Sequence, residues 1–288
     1  MRLSMLYVVA TPIGNLQDIS PRALEILKTV DLIVAEDTRV TAKLLNHYEI
    51  HGKMMSMHRH TEGEKSGALA DRMLNEGLQV ALVTDAGTPA VSDPGSRLVK
   101  EVAARGMQVQ PIPGASAAVS AVSISGFLNT EYTFYGFLPR EKKACVEKLE
   151  AMRGHTQTAI LYESPHRVVK LLEFIESVYP MAPLVVSCDL TKMYEKTLRG
   201  TAGEIAALLK DDPKAEKGEY VVTMDLSAEE APETDATLAM TLEGRLVDQM
   251  VRDNVTLKEA VALVAAEGEK KNALYDAALR LKKILKTL

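Results

Sequence analysis

The sequence contains little cysteine, with two residues of this type among 288. Cys145 and Cys188 lie far apart, and no Cys or His accompanies them at the spacing of metal ligands. The pattern therefore excludes a disulfide-rich framework and a structural zinc site. We expect two buried free thiols, a reducing compartment and no bound metal.

Long apolar runs are also missing, since none approaches the roughly 20 residues that a membrane-spanning helix needs. The apolar start of the chain continues directly into residues 11–15 (TPIGN) without a small-residue cleavage site. We interpret this start as a first β-strand rather than a signal peptide. The expectation is a cytoplasmic protein with no membrane partner.

Positive charge is not in excess, because 34 basic residues face 39 acidic ones and the formal net charge is −5. A global positive field for nucleic acid is therefore not indicated, and any RNA contact must use a local patch. Neither the G-x-G-x-x-G nor the G-x-x-x-x-G-K-[ST] pattern occurs. Conventional dinucleotide and P-loop sites are disfavoured, and with them a nucleotide-dependent dehydrogenase.

What the sequence does have, between residues 6 and 112, is an alternation of short β-branched runs with longer helical patterns. Such alternation predicts a mainly parallel sheet. Ser20 followed by Pro21 is a good helix start, because Ser can cap and Pro is tolerated at the first helical position. The predicted strands of this part cover residues 6–10, 32–35 and 80–83.

A second alternation follows residues 111–126, a stretch rich in Pro, Gly, Ala and Ser that we interpret as a hinge between two lobes. The acidic segment 227–235 has no apolar periodicity and is typical of a linker. The predicted strands of the second lobe cover residues 132–135, 158–162, 184–187 and 220–224. The predicted domains are an N-terminal α/β lobe (1–113), a second α/β lobe (114–228) and a C-terminal helical extension (236–288).

The C-terminal extension begins its clearest helix at Thr256, which with Glu259 has the capping-box spacing. A last amphipathic helix is predicted from about residue 272 to 285. From Lys270 to the end of the chain, six Lys or Arg residues face one acid, Asp276. This basic tail is typical either of an RNA contact or of a solvated helix face, and the sequence leaves both open.

Three loops rich in small residues follow predicted strands, at residues 11–15 (TPIGN), 85–89 (DAGTP) and 113–117 (PGASA). Small residues let a ligand approach the backbone closely. Ligands of open parallel sheets bind beyond the carboxyl ends of the strands, so these loops are expected to line one cleft. Tight strand-to-helix turns also need Gly and Pro, which is the structural alternative for any single loop.

Polar clusters accompany these loops at residues 36–39 (EDTR), 58–62 (HRHTE) and 162–167 (YESPHR). For the first cluster, the alternative to a functional role is a helix N-terminal cap with a surface ion pair. The His-x-His pair of the second has no third ligand at a suitable spacing, which makes it weak evidence for a metal.

Taken together, the segments resemble the ribosomal RNA small-subunit (cytidine-2′-O)-methyltransferase branch of the tetrapyrrole methylase superfamily. Each motif alone is weak, whereas their order over residues 6–226 is specific. The matching stretches are residues 10–16 (ATPIGNL), 35–39 (AEDTR), 85–89 (DAGTP) with 92–95 (SDPG), 113–117 (PGASA), 162–167 (YESPHR) and 190–192 (LTK).

The resemblance implies an α/β, tetrapyrrole-methylase-like fold of two lobes with the cofactor in the cleft between them, plus a small C-terminal helical extension. It implies S-adenosyl-L-methionine as cofactor, a homodimer, and 2′-O-methylation of a cytidine in the decoding region of 16S rRNA within the 30S subunit. The cofactor contacts that it implies are Pro12, Thr88, Val91, Ser116, Ala117 and Tyr162, with Cys188 and Glu219 as looser assignments.

A ribose hydroxyl is a weak nucleophile, so a base that accepts its proton is expected near the methyl donor. The candidates for catalytic residues are Glu36, Asp37, Arg39, Glu163 and His166, the acids and the histidine as bases. Arg167 and Lys192, like Arg39, are candidates for phosphate contacts to RNA, because Arg offers a bidentate fork to phosphate oxygens.

Two other hypotheses keep the same fold. One is a methyltransferase that acts on a tetrapyrrole or another small molecule. The other is a non-catalytic RNA-binding or S-adenosylmethionine-sensing module. The polar clusters and the helical tail favour RNA over a porphyrin-like substrate, and the presence of all the loops favours an enzyme.

Overall fold

The first sheet has five strands in the order β3-β2-β4-β1-β5, and every pairing in it is parallel. The parallel pairing predicted for residues 6–112 is therefore confirmed. This computed structural model describes residues 3–127, 130–229 and 240–285. The strands are β1 (Met5–Val9), β2 (Leu32–Ala35), β3 (Met54–Ser56), β4 (Gln79–Val83) and β5 (Gln108–Ile112). The helices are α1 (Pro21–Thr29), α2 (Thr38–His47), α3 (Glu62–Glu76) and α4 (Ser96–Ala104).

The central strands of this sheet are buried on both faces, which explains their continuous apolar sequence. On one face, Leu6 and Leu82 pack with residues of α3 and α4. On the other face, Val9 and Ile33 pack with residues of α1 and α2. Strands β3 and β5 escaped prediction because they are less buried and carry polar residues, Gln108 among them.

The start of α1 is confirmed, because the Ser20 hydroxyl accepts a hydrogen bond from the Ala23 backbone N–H at 3.1 Å. Ser20→Ala is expected to lower the free energy of unfolding by about 1 kcal/mol, since that N–H loses its partner. Urea denaturation measures the change. Ser20→Asp keeps a capping oxygen and serves as the control; an equal loss in both variants would contradict the capping role.

The second sheet has the strand order β6-β7-β10-β8-β9 and mixed pairing. Strand β6 pairs parallel with β7, whereas β10 lies between β7 and β8 and runs antiparallel to both. Alternation alone does not predict this insertion. The strands are β6 (Thr133–Phe137), β7 (Thr158–Glu163), β8 (Leu184–Cys188), β9 (Lys196–Gly200) and β10 (Tyr220–Asp225). The helices are α5 (Ala117–Ser123), α6 (Lys142–Glu150), α7 (Val168–Val178) and α8 (Ala202–Lys210).

The segment predicted as a hinge, residues 111–126, contains helix α5 rather than loop alone. Ala118 and Ala121 of this helix pack against Ile160 and Val221 of the second sheet. Residues 1–229, with both sheets, form one compact unit, and residues 230–288 form another. The lobe boundary at 113 and 114 stays a prediction.

In residues 240–285, the described part of the C-terminal unit, three helices surround an apolar core: α9 (Leu242–Asp253), α10 (Leu257–Ala266) and α11 (Lys271–Leu285). The capping box is confirmed, because the Thr256 N–H donates to Glu259 Oε2 at 2.8 Å and the Glu259 N–H to Thr256 Oγ1 at 3.4 Å. The predicted linker from residue 230 onward and the predicted domain start at 236 lie outside the described residues.

Four cations of the basic tail lie exposed on α11, namely Lys271, Arg280, Lys282 and Lys283, and residues 286–288 lie outside the described part of the chain. Arg280, one of its cations, forms an ion pair with Glu243 of α9. That ion pair favours a solvated helix face over an RNA contact for Arg280. For the lysines of the tail, both alternatives stay open. Within the part of the chain that is described, no helix has both the length and the hydropathy needed to cross a bilayer.

Candidate active site

A cavity of about 480 Å³ opens where loops of both sheets meet. The three small-residue loops all contribute to it, through Ile13, residues 86–88 and residues 116–117. The second sheet contributes the end of β7 and the start of β10. The three loops therefore line one cleft, as the sequence predicts.

The first two loops are joined by backbone hydrogen bonds. The Thr11 N–H donates to the Gly87 carbonyl at 2.9 Å, and the Gly87 N–H donates back at 3.1 Å. Gly87 has a φ of +82°, a conformation that favours glycine. This pairing fixes two walls of the cavity relative to each other.

The first loop also packs tightly on residues 190–192 of the second lobe. A Cβ placed on Gly14 would lie 2.5 Å from Lys192 Cγ and 3.0 Å from the Leu190 carbonyl oxygen. The Asn15 N–H donates to Thr191 Oγ1 at 3.0 Å. Gly14 is required because residues 190–192 approach its backbone too closely for a side chain. The two matching stretches, 10–16 and 190–192, are therefore in contact in the structure.

A third wall is the loop 90–95, whose backbone is strained. Ala90 has a φ of +64° and Ser92 a φ of +129°, values that non-glycine residues rarely adopt. Buried Glu62 holds the end of this loop, because its Oε1 accepts hydrogen bonds from the Gly95 and Arg97 N–H groups at 2.9 and 2.7 Å. Such strain is common at ligand sites that the surrounding structure holds in place.

The His-rich segment thus supports this loop. Arg59 donates to the Ser92 carbonyl at 2.8 Å, and Glu62 accepts from the Gly95 and Arg97 N–H groups at the end of the loop. His58 and His60 have ring centroids 6.0 Å apart. Over the described residues, no group of three His, Cys, Asp or Glu residues could hold a metal ion.

An aromatic wall is built around Tyr162. Its ring lies 4.8 Å from that of Phe134 and 5.8 Å from that of Phe137, both edge-on. Its hydroxyl oxygen accepts a hydrogen bond from the Ala118 N–H at 3.1 Å. Burial raises the pKa of Tyr162, so the phenol stays protonated at neutral pH and presents a flat, largely apolar face.

Most of the predicted cofactor residues lie together. Pro12 and Cys188 do not line the cavity, although Ile13 beside Pro12 does. Cys188 and Cys145 are buried free thiols, as expected, and burial raises the pKa of both. The cofactor roles stay predictions. The residues that line the cavity are Thr88, Val91, Ser116, Ala117, Tyr162 and Glu219.

The Glu36–Arg39 cluster lies at the ends of β2 and β4 beside the cavity. Glu36 Oε2 accepts a hydrogen bond from the Thr84 hydroxyl at 2.7 Å, and the Asp37 N–H donates to Asp85 Oδ1 at 3.1 Å. Asp37 caps α2 and forms an ion pair with Arg39 at 2.6 Å. The hydrogen bond from the Arg39 side chain is the largest cause that lowers the pKa of Asp37 to about 2.

This arrangement includes the cap and surface ion pair that the sequence left as an alternative. The Arg39 side chain is 88% exposed and therefore available to a partner, whereas Glu36 is turned inward. The roles of these three residues in catalysis stay predictions.

Glu163 and Arg167 form a pair on the face of the second sheet opposite to Tyr162, because side chains alternate along a strand. The Glu163 side chain is fully buried, and its Oε2 lies 3.2 Å from Arg167 Nη2. Its Oε1 accepts from the Ser164 N–H at 2.7 Å. Arg167 also donates to the Leu138 and Pro139 carbonyls at 3.4 and 3.3 Å. Glu163 belongs to the lining of the cavity, and its carboxylate oxygens are held there by Arg167 and the Ser164 N–H.

His166 and Lys192 are placed differently again. His166 is exposed and does not line the cavity. Lys192 donates to Asp189 at 2.8 Å and to Glu219 at 3.2 Å. Burial alone would lower the pKa of Lys192, but these two carboxylates outweigh it and raise the pKa. This lysine links the loop after β8 to the loop before β10.

Asp93 is a charged site residue to which no role was assigned from the sequence. It lines the cavity, and burial is the largest cause that raises its pKa to about 6. Its motif, residues 92–95, was visible in the sequence, but its neighbours Glu36 and Thr84 come from distant segments. Spatial proximity of this kind has no signal in a single sequence.

Comparison with known proteins identifies the family to which this chain belongs. The family model of the tetrapyrrole (corrin/porphyrin) methylases matches residues 5–206. The chain is 41% identical over 274 residues to ribosomal RNA small subunit methyltransferase I of Haemophilus influenzae, covering 94% of this chain and 95% of that protein. It is 38% identical over 277 residues to the protein of the same name in Bacillus subtilis, covering 96% and 94%.

A solved structure has the same fold. Uroporphyrin-III C-methyl transferase from Thermus thermophilus, in complex with S-adenyl homocysteine, matches with a TM-score of 0.54 at 15% identity, over 78% of this chain and 98% of that one. The two-sheet α/β architecture and the family match agree. The chain belongs to the tetrapyrrole methylase family, in the group that contains the ribosomal RNA small subunit methyltransferase I proteins.

Proposed function

We propose that this protein transfers a methyl group from S-adenosylmethionine to the 2′-hydroxyl of a cytidine in the decoding region of 16S rRNA. Relatives named for the small ribosomal subunit are 38–41% identical to this chain over nearly its whole length. That extent of similarity supports an rRNA substrate rather than a free tetrapyrrole. The nucleotide, the 30S subunit as substrate, the homodimer and the cytoplasmic location are parts of the same proposal.

The charge of the cavity lining is the observation that supports S-adenosylmethionine as the cofactor. Its volume falls within the roughly 300–1,000 Å³ of small-molecule sites. Among the described residues that line it, none is a lysine, arginine or histidine, whereas three are acids, Asp93, Glu163 and Glu219. A phosphate-bearing cofactor needs cations or donors, and the sulfonium of S-adenosylmethionine needs the opposite. The lining therefore fits a cationic ligand.

The residues present offer a holding place for each part of such a ligand. Tyr162 and Phe137 offer flat faces for an aromatic base, and the Ser116 hydroxyl, which caps no helix N–H, is available for a hydrogen bond. Thr88 donates to the Ala115 carbonyl at 3.3 Å and closes the wall between two loops. When bound, S-adenosylmethionine supplies an electrophilic methyl group.

The main catalytic task of the chain is then alignment in a dry site. Holding two reacting groups in line contributes roughly 7–11 kcal/mol in well-oriented systems. The paired loops at Thr11 and Gly87 and the strained loop at Ser92 are rigid supports for that alignment. Among the predicted bases, Glu36 accepts a hydrogen bond from Thr84, and the carboxylate of Glu163 is paired with Arg167.

Arg39 is the predicted phosphate contact with the freest side chain. Arg39→Ala is expected to lower methyl transfer at least about tenfold, because a guanidinium that orients a flanking phosphate is lost. Asp37→Ala is expected to do the same, since Asp37 holds that guanidinium at 2.6 Å. The measurement is methyl transfer to 30S subunits at saturating cofactor, with circular dichroism to verify folding.

Arg39→Lys keeps the charge without the bidentate fork and is the matched control, so it should lose less than Arg39→Ala. Activity equal to the wild type in either alanine variant would remove that residue from the site.

The proposed function is tested by mapping 2′-O-methylation of 16S rRNA in cells with and without this protein. Loss of one methylated cytidine in the decoding region, restored by the wild-type chain, is the expected result. In vitro, methyl transfer to a porphyrinogen but not to 30S subunits would favour the small-molecule hypothesis. Binding of S-adenosylmethionine with turnover on neither substrate would favour a sensing module.

A further inference from the structure

Asp93 faces the cavity without the structural role that occupies the other acids nearby. Asp37 caps a helix, Glu163 pairs with an arginine, and Glu219 pairs with Lys192. Over the described residues, Asp93 takes part in no ion pair and caps no helix. Its carboxylate therefore stays available to a ligand in the cavity.

The hydroxyl of Thr84 lies between Asp93 and Glu36. It donates to Glu36 Oε2 at 2.7 Å, and Asp93 is also within its hydrogen-bonding reach. A hydroxyl has one hydrogen to give. While that hydrogen goes to Glu36, the Asp93 carboxylate receives none from Thr84 and can accept one from a ligand in the cavity. Thr84 is buried, so water cannot readily take its place.

The surroundings of Asp93 raise the pKa of its carboxyl group. Burial is the largest cause that raises its pKa to about 6, and the negative charges of Glu36 and Asp85 add to it. Thr84 and Arg59 oppose the shift. The phenol of Tyr162, across the cavity, stays neutral at these pH values and adds no charge. A base is most effective when its pKa lies near the working pH, and Asp93 approaches that condition.

We infer that Asp93 is the general base that accepts the proton of the ribose 2′-hydroxyl. This inference rests on the proposed function and deepens it. The 2′-oxygen takes the methyl carbon as the carbon–sulfur bond breaks, the electron pair of that bond stays on sulfur, and the hydroxyl proton passes to an Asp93 oxygen. The proton then leaves to solvent through the cavity mouth, which restores the carboxylate.

The inference predicts a specific pH dependence. Asp93 must be deprotonated to accept a proton, so the wild-type rate should fall as the pH drops through about 6 and level off above it. Asp93→Asn should lower the rate at saturating S-adenosylmethionine at least about 100-fold and remove this dependence. Asp93→Glu keeps the carboxylate and should recover part of the rate. Single-turnover methylation of 30S subunits measures all three proteins, and thermal melts verify that each is folded.

Two neighbouring variants should move the midpoint of the wild-type profile in opposite directions. Asp85→Asn removes a negative charge and should shift it to lower pH. Arg59→Gln removes a positive charge and should shift it to higher pH. If Asp93 merely supported the loop, neither variant would shift the midpoint of the profile.

The outcomes separate the two proposals. If the wild-type chain methylates no rRNA ribose, the proposed function fails. If the wild type is active and Asp93→Asn retains its rate or its pH dependence, the assignment of the base is overturned. A variant that binds S-adenosylmethionine more weakly but turns over normally at saturation would also overturn it, since Asp93 would then be a cofactor contact.

Discussion

Thr88→Arg is expected to abolish binding of S-adenosylmethionine and, with it, methyl transfer. Thr88 lines the cavity between two loops, with its hydroxyl 3.3 Å from the Ala115 carbonyl oxygen. An arginine at this position adds a long side chain to a cavity of about 480 Å³. It also brings a positive charge into a lining that otherwise offers carboxylates, where it repels a sulfonium.

The expected effect is an increase in Kd of at least about 100-fold, which corresponds to roughly 2.7 kcal/mol of binding free energy. Isothermal titration calorimetry measures it on the folded variant. Thr88→Ser keeps the hydroxyl bond to Ala115 and adds no bulk, so it is the matched control and should bind within about threefold of the wild type. Undiminished calorimetric binding to Thr88→Arg would place the cofactor elsewhere.

The fold was largely predictable because its strongest signals are local. Alternation of apolar strands with helices predicted both α/β lobes, and the Ser20 and Thr256 caps were visible in the sequence. The strands that escaped prediction are short or polar: β9, Lys196–Gly200, is at most half-buried. The insertion of β10 between β7 and β8 depends on long-range pairing, which local periodicity does not contain.

The candidate site was predictable at the level of loops and less so at the level of side chains. Thr88 and Ser116 meet in one cavity because they follow β4 and β5, which end at a common edge of the first sheet, and Tyr162 comes from the end of β7 in the second sheet. Glu163 follows Tyr162 directly, and the period of two along a strand sends its side chain to the other face. Sequence motifs give the position of such a residue but not the direction of its side chain.

Charged residues were the hardest to assign, because their partners are distant in sequence. Lys192 was predicted as an RNA contact, yet it bonds to Asp189 and Glu219. Asp93 received no role from the sequence, since the burial and neighbouring charges that raise its pKa come from folding. The sequence predicts which residue types gather at the cleft, and folding decides which of them stay available.

Arg167→Ala is expected to destabilise the protein by about 3 kcal/mol, because it leaves the buried carboxylate of Glu163 without its cation. The Glu163 side chain is fully buried, and Arg167 is 24% exposed, so water can replace the guanidinium only in part. The carbonyls of Leu138 and Pro139 lose a donor as well. Urea denaturation monitored by circular dichroism measures the loss.

Glu163→Gln supplies the second arm of a double-mutant cycle, since glutamine keeps the shape of the side chain without the charge. The double variant, Glu163→Gln with Arg167→Ala, should be more stable than Arg167→Ala alone by at least about 1 kcal/mol, because no buried charge is left unpaired. The same variants test the RNA role predicted for Arg167. Wild-type stability of Arg167→Ala together with weakened binding to 30S subunits would show that this arginine serves the substrate, whereas lost stability with unchanged binding of the folded fraction would assign it to the core of the second lobe.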